Sequence, residues 1–257
     1  MSKLLELSNL SYSYHSLQGE TLALKDISFT VEEGEFVAIV GPSGCGKTTL
    51  LSVIAGLLTP EEGSVRLANS DDKQELPNIG YMLQKDHLFE WLSIYKNVTL
   101  GLEMHHLMTP EKKAYIDRLL REYGLDAFRE KRPSELSGGM KQRAALIRTL
   151  ALEPSLLLLD EPFSALDFQT RLMVADDISK LIRSAGKTMI IITHDLGEAI
   201  SLADKIIVLS KRPATVARII PVSLSLEDDS PLAPRNAPEY QPLFNELWEV
   251  LSNEEAL

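Results

Sequence analysis

Phe36-Val37-Ala38-Ile39-Val40-Gly41-Pro42-Ser43-Gly44-Cys45-Gly46-Lys47-Thr48-Thr49 joins an uninterrupted apolar run to a loop spaced by glycines, a lysine and two hydroxyls. The run has the composition of a strand buried on both faces. The loop fits Gly-x-x-x-x-Gly-Lys-Ser/Thr, and directly after a strand that spacing predicts a cradle for nucleotide phosphates, formed by residues 41–49. The glycines let successive NH groups turn inward, toward phosphate oxygens at the positive end of a helix expected to start near Gly46. Lys47 brings a full charge to the β and γ phosphates. At a contact of about 4 Å and an effective dielectric of about 20, one such pair is worth about 4 kcal/mol, against roughly 0.3–1 kcal/mol from a helix terminus. Lys47 is therefore expected to dominate affinity while the NH groups set geometry. The Thr48 hydroxyl is placed for the magnesium ion that accompanies such a nucleotide.

A second rare segment, Leu136-Ser137-Gly138-Gly139-Met140-Lys141-Gln142-Arg143, stands about ninety residues further along the chain. With it the chain resembles the ATP-binding cassette family, whose signature reads Leu-Ser-Gly-Gly-x-x-Gln. Leu156-Leu157-Leu158-Leu159-Asp160 is similar to the family's second nucleotide motif and Glu161 comes directly after it. Ser164-Ala165-Leu166-Asp167 resembles the D-loop, Gln84 the Q-loop glutamine and His194 the switch histidine. The resemblance covers residues 3–215. It implies an α/β fold: a P-loop NTPase (RecA-like) core with an antiparallel β side sheet and an inserted helical subdomain, working with ATP and Mg2+.

Several roles can be argued from the residues themselves. Four leucines before Asp160 read as a buried parallel strand, and ligands bind at the carboxyl ends of such strands. Asp160 is then expected to hold the metal through water, and Glu161 to act on the attacking water as general base. His194 ends the apolar run Met189-Ile190-Ile191-Ile192-Thr193, and Gln84 ends Ile79-Gly80-Tyr81-Met82-Leu83. Both should emerge at the same edge. The family resemblance gives His194 contact with the γ phosphate and Gln84 a place in the metal shell or beside the attacking water. Ser137 with two bare glycines forms a second anion site at a helix start. One chain has one Lys47, so the family-like arrangement is a head-to-tail homodimer around ATP. In it Ser137, Gly138, Gly139 and Gln142 complete the other subunit's site, Asp167 touches across the interface, and closure gates turnover. For the adenine ring the resemblance places stacking at Tyr14, with Tyr12 as the runner-up.

Composition narrows the function classes. The 257 residues are 44% hydrophobic, enough for a substantial core. The single cysteine, Cys45, excludes an internal disulfide and fits a reducing compartment; its place in the cradle reads as a spacer, open to thiol reagents without nucleotide. A net charge of −11, with 37 acidic against 26 basic residues, argues against nucleic-acid binding. There is no basic segment leading into an apolar stretch at the amino end and no apolar run of membrane-spanning length, so the chain itself is not expected to enter a membrane.

Residues 1–84 and 153–215 read as the nucleotide-binding core with its antiparallel subdomain. Short alternating segments at 3–35 and 63–81 supply the side sheet. Residues 85–152 read as the helical signature subdomain. Within it Thr109-Pro110-Glu111 starts a helix whose apolar face is Tyr115, Ile116, Leu119, Leu120 and Tyr123, stopped by Gly124. His105-His106 has metal-ligand chemistry without a spaced partner. Leu88, Phe89, Trp91, Leu92 and Tyr95 are either subdomain core or a partner-facing patch. Residues 216–257 read as a linker and then an amphipathic helix over 243–251.

Three wordings, Ala165-Leu166-Asp167-Phe168-Gln169-Thr170-Arg171, His194-Asp195-Leu196-Gly197-Glu198-Ala199 and Val208-Leu209-Ser210-Lys211-Arg212-Pro213, resemble the nitrate, sulfonate, taurine and related importer ATPases of bacteria. They imply an ATPase subunit peripheral to the cytoplasmic face of the membrane. Its partners would be separate transmembrane permease subunits and, indirectly, a solute-binding protein. The alternatives are the ATPase of an exporter and a soluble cassette ATPase unconnected with transport. The solute never touches this subunit, and its identity cannot be read from these residues.

Overall fold

The computed structural model describes residues 2–17, 19–68 and 79–256. Its main sheet is built from the aliphatic runs: β3 (Phe36–Val40), β5 (Ile79–Met82), β6 (Leu156–Asp160), β7 (Thr188–Ile192) and β8 (Lys205–Leu209), with β9 (Val216–Pro221) at one edge. The order is β5-β6-β7-β3-β8-β9, parallel except for β9, which pairs antiparallel with β8. Every residue of β3, β6 and β7 is buried because both faces of the sheet are covered. Alternate side chains go to opposite cores. Phe36, Ala38, Leu157, Leu159, Met189 and Ile191 meet the helices, whereas Val37, Ile39, Leu156, Leu158, Ile190 and Ile192 meet the side sheet and the helix after the loop. Each aliphatic side chain so buried stabilises the fold by about 1.5–3 kcal/mol.

The side sheet has the order β2-β1-β4, all antiparallel, from β1 (Lys3–Ser16), β2 (Gly19–Glu32) and β4 (Glu62–Leu67). Leu5 of β1 lies opposite both Val31 of β2 and Leu67 of β4. Residues 69–78, inside the 63–81 stretch expected to form strands, lie outside the described residues.

Three helices make the inserted subdomain: α2 (Ile94–Met104), α3 (Pro110–Glu122) and α4 (Gly138–Leu150), after α1 (Lys47–Ile54) in the core. Ser93, Thr109 and Ser137 each accept a hydrogen bond from the backbone NH three residues on, a cap worth about 1 kcal/mol. Ile116, Leu119, Leu120 and Tyr123 are buried, as the spacing predicts.

The remaining elements are α5 (Phe168–Ser184), α6 (Leu196–Leu202), α7 (Ala233–Asn236) and α8 (Tyr240–Ala256). Here the structure corrects the reading of the tail. Val216–Pro221, expected to begin a linker, is the edge strand β9, and the last helix starts at Tyr240. Only Ile220 of β9 is buried, so alternation is too faint to announce a strand; pairing with β8 creates it. α8 lies against α6 with Leu247 in the core. Among the described residues no helix is long and apolar enough to cross a membrane.

Candidate functional site

Four neighbouring parallel strands deliver their carboxyl ends to one cleft of about 450 Å3. β3 leads into the glycine loop, β5 to Gln84, β6 to Asp160 and Glu161, and β7 to His194. Ligands sit at this edge because loops there leave the sheet while the strands fix their starting points. The helix start carries no side-chain cap: Gly46 occupies that position at φ 126°. Only glycine fits. A Cβ there would lie 3.1 Å from Leu24 Cδ2 and 3.2 Å from the Ala23 carbonyl oxygen.

The polar groups are already organised. Lys47 Nζ donates to the carbonyl oxygens of Gly41 at 2.8 Å and Pro42 at 2.9 Å. Thr48 Oγ1 donates to Asp160 Oδ2 at 2.7 Å. Burial pushes the Asp160 carboxyl above its ordinary range, against the pull of the Thr48 hydrogen bond. A buried carboxylate, a hydroxyl and the nearby Gln84 amide form an all-oxygen donor set, which suits a hard divalent cation. Gln84 Nε2 donates to Glu161 Oε2 at 3.1 Å, and His194 Nδ1 lies 3.6 Å from the same oxygen. Glu161 itself stands at φ 48°, a left-handed conformation unfavourable for a residue with a side chain, and its NH donates to the Ile192 carbonyl.

The structure thus gathers Gly41, Ser43, Gly44, Gly46, Lys47, Thr48, Thr49, Gln84, Asp160, Glu161 and His194 around one cleft. Ser137, Gly138, Gly139 and Asp167 do not line it. Ser137 caps α4, and Asp167 caps α5 by accepting from the Thr170 NH at 3.1 Å, which holds its carboxyl below the usual range. Tyr14 is 44% exposed and its hydroxyl shares a hydrogen bond with Thr49 Oγ1 at 3.0 Å; Tyr12 is half-buried, edge-on to it at 5.1 Å. Of the two rings, Tyr14 has the freer face.

The ABC transporter family matches residues 24–164. An uncharacterized ABC transporter ATP-binding protein, YtlC of Bacillus subtilis (strain 168), is 47% identical over 97% of this chain and 96% of its own length. The taurine import ATP-binding protein TauB of Jannaschia sp. (strain CCS1) is 41% identical over 82% of this chain and 80% of its own. Among solved structures, a dimeric post-hydrolysis state of the ATP-binding cassette MJ0796, bound to ADP and Pi, superposes with a TM-score of 0.77 at 32% identity, covering 86% of this chain and 99% of that one. The chain belongs to the ABC transporter family. It is an ATPase, and the P-loop core, side sheet and helical insert of its fold are those of its structural neighbours.

In this ABC ATPase two cradle and signature residues do something other than expected. Cys45 is 1% exposed: its side chain turns into the core beneath the side sheet, and burial pushes the thiol up. It is not open to thiol reagents in this conformation, because the loop turns the Cys45 side chain inward and its NH donates back to the Pro42 carbonyl. Gln142 is 6% exposed and its side chain bonds within its own chain. Its Nε2 donates to the Glu161 carbonyl at 3.0 Å and to Ser164 Oγ at 3.3 Å, and its Oε1 accepts from the Ala165 NH at 3.0 Å.

Arg212 of the ABC ATPase joins the cleft from the 208–213 wording, where no site role was expected of it. Its Nη2 donates to the Gly44 carbonyl at 2.7 Å. The one signal in the sequence is a cation just past β8, a strand that neighbours β3. The aromatic stretch after Gln84 divides. Leu88 is buried and Tyr95 packs on the core under the Arg129 guanidinium, while Phe89 and Trp91, the latter 70% exposed, lie 5.0 Å apart at the surface. His105 and His106 are exposed.

Proposed function

We propose that this chain is the ATP-hydrolysing subunit of a bacterial importer of the nitrate, sulfonate and taurine type, and that two copies close head to tail on ATP to drive separate membrane permeases. One observation carries the reading: the anion-ready start of α4, at Ser137, Gly138 and Gly139, lies outside the cleft that holds Lys47. A second copy is needed to bring the two together. The dimeric relative bound to ADP and Pi supports that arrangement, and the taurine import relative supports the class of transporter.

In the closed dimer the residues of the cradle bind the triphosphate, with Lys47 swinging from the Gly41 and Pro42 carbonyls onto its oxygens. Ser137 of the partner subunit, with its glycine NH groups, meets the γ phosphate from the other side. Glu161 takes the proton of the attacking water, and His194 and Gln84, both within reach of the same Glu161 oxygen, orient it. Thr48, Asp160 and Gln84 would hold Mg2+, which when bound neutralises charge on the phosphate oxygens. Tyr14 offers its exposed ring to adenine, and Asp167 contacts the facing subunit. Phe89 and Trp91 present an apolar surface to the permease at the cytoplasmic face of the membrane, with a solute-binding protein acting on the other side of the permease.

Mixing two inactive variants tests the sharing of sites. Lys47→Ala and Ser137→Ala proteins, each inert alone, should recover part of the wild-type turnover when combined, because one mixed interface keeps both a lysine and a serine. A mixture as inactive as either component rejects the composite site.

A further inference from the structure

The segment 233–240 presses on two loops that flank the cleft. Gly197, in the first turn of α6, is the point of closest approach: a Cβ there would lie 2.7 Å from Arg235 Nη2, 2.7 Å from the Tyr240 hydroxyl and 3.0 Å from Arg235 Cζ. A Cβ at such distances makes the ends of the Arg235 and Tyr240 side chains shift, so both rest where they do because position 197 is a glycine. The Arg235 guanidinium also lies over the Phe168 ring, 5.4 Å from its centroid. Phe168 is the residue after Asp167 and opens α5. Arg235 therefore touches the first turn of both helices whose preceding loops carry Asp167 and His194.

From Gly197 the path to His194 is short and runs through hydrogen bonds. Thr193 Oγ1 donates to Glu198 Oε2 at 2.6 Å and accepts from the Asp195 NH at 3.0 Å. Asp195 caps α6 by accepting from the Glu198 NH at 3.1 Å, and Arg171 of α5 donates to Asp195 Oδ2 at 3.3 Å. His194 sits between Thr193 and Asp195, so a shift of the first turn of α6 moves its backbone. At the far end the clamp is anchored by Leu247 in the core and by the stacked pair Tyr240 and Phe244.

We propose that Arg235 and Tyr240 are positioning residues for hydrolysis, clamping the start of α6 to the start of α5 and so setting where His194 and Asp167 stand. The inference rests on the roles proposed above for those two residues. The tail becomes part of the catalytic frame, and anything that lifts it slows turnover without touching nucleotide.

Steady-state kinetics of the full chain test it. Arg235→Ala and Gly197→Ala should each lower kcat about tenfold, in line with the roughly hundredfold cost of an ångström-scale misplacement, while KM for ATP stays within about twofold. Gly197→Ala raises helix propensity, so a loss there cannot come from a weakened helix. Gly197→Ala displaces the Tyr240 hydroxyl as well as Arg235, so the double variant should be no slower than Gly197→Ala alone, and Arg235→Lys should regain part of the rate. Should Gly197→Ala fail to fold, the Arg235→Ala and Arg235→Lys pair decides alone. Wild-type kcat in folded Arg235→Ala, or losses that multiply in the double variant, overturn the clamp. His194→Ala separates the two levels. A dead His194 variant beside a fully active Arg235→Ala sinks the clamp only, whereas full activity in both sinks the assignment of His194 as well.

Discussion

α1 follows Gly46 and α4 opens on Gly138 and Gly139, yet the two helix starts are equipped differently. The α1 start has no side-chain cap, and Lys47, Thr48, Asp160 and Glu161 stand around it in the same chain. At the α4 start, Ser137 accepts from the Met140 NH at 3.4 Å, and no residue of the cleft accompanies it. The starts of α2, α3 and α5 carry Ser, Thr or Asp caps and no glycine pair. Two helix starts prepared for anions in a chain with one lysine cradle are economical only if the two meet on a single phosphate, which requires a second copy. The difference between them is the physical content of the dimer proposal.

The largest effect should come from the acid beside α1. Glu161→Gln keeps the hydrogen bond from Gln84 within reach but cannot take a proton, so turnover should fall about 10²–10⁴-fold. ATP binding should survive, and with both helix starts intact the closed dimer should accumulate. Size-exclusion chromatography with ATP reads the dimer and phosphate release reads the rate. A variant that hydrolyses normally removes Glu161 as base, and one that binds ATP but stays monomeric breaks the link between α1 and α4.

Gln142 sharpens the comparison because it spans the two regions within one chain, from the second turn of α4 to the loop 161–165. Gln142→Ala leaves the Ala165 NH without its partner, while Ser164 still donates to the Glu161 carbonyl, at a cost of about 1–3 kcal/mol in stability. Urea unfolding should show that loss, and kcat should drop more than nucleotide affinity, since the loop carries Glu161 and the cradle does not. Equal losses in both would mean that Gln142 holds α1 as much as α4.

How far the chain can be read from its letters depends on what each feature answers to. The parallel strands are legible because burial on both faces demands unbroken aliphatic runs, and Leu156 to Leu159 can hardly be anything else. The helix start of α3 is legible because Thr109, Pro110 and Glu111 act within one turn. Lys47, Thr48, Asp160 and His194 are readable because each sits at a strand end or in a contiguous motif. The features that escape a sequence reading share one cause. β9 exists by pairing with β8, Cys45 turns inward because the side sheet lies beneath it, and Gln142 bonds a loop some twenty residues away. Gly197 is an unremarked position in α6 until Arg235 is set against it. Local pattern reports what a residue's own neighbours require, and these four answer to distant ones.

The smallest expected effect belongs to Arg212, which bears on α1 alone. Its guanidinium holds the Gly44 carbonyl from an exposed loop, and a charged hydrogen bond in water contributes about 1 kcal/mol, so Arg212→Gln should weaken ATP binding by no more than about fivefold. The change should be larger at low salt, because an exposed cation beside the triphosphate is screened as ionic strength rises. Dimer formation at saturating ATP should be unaltered, because Arg212 has no contact with α4. Isothermal titration at two salt concentrations separates the possibilities. A salt-insensitive loss would assign Arg212 to shaping the loop through Gly44, and a loss of dimer at saturating ATP would place it at the junction of the two helix starts, against the division of labour between α1 and α4.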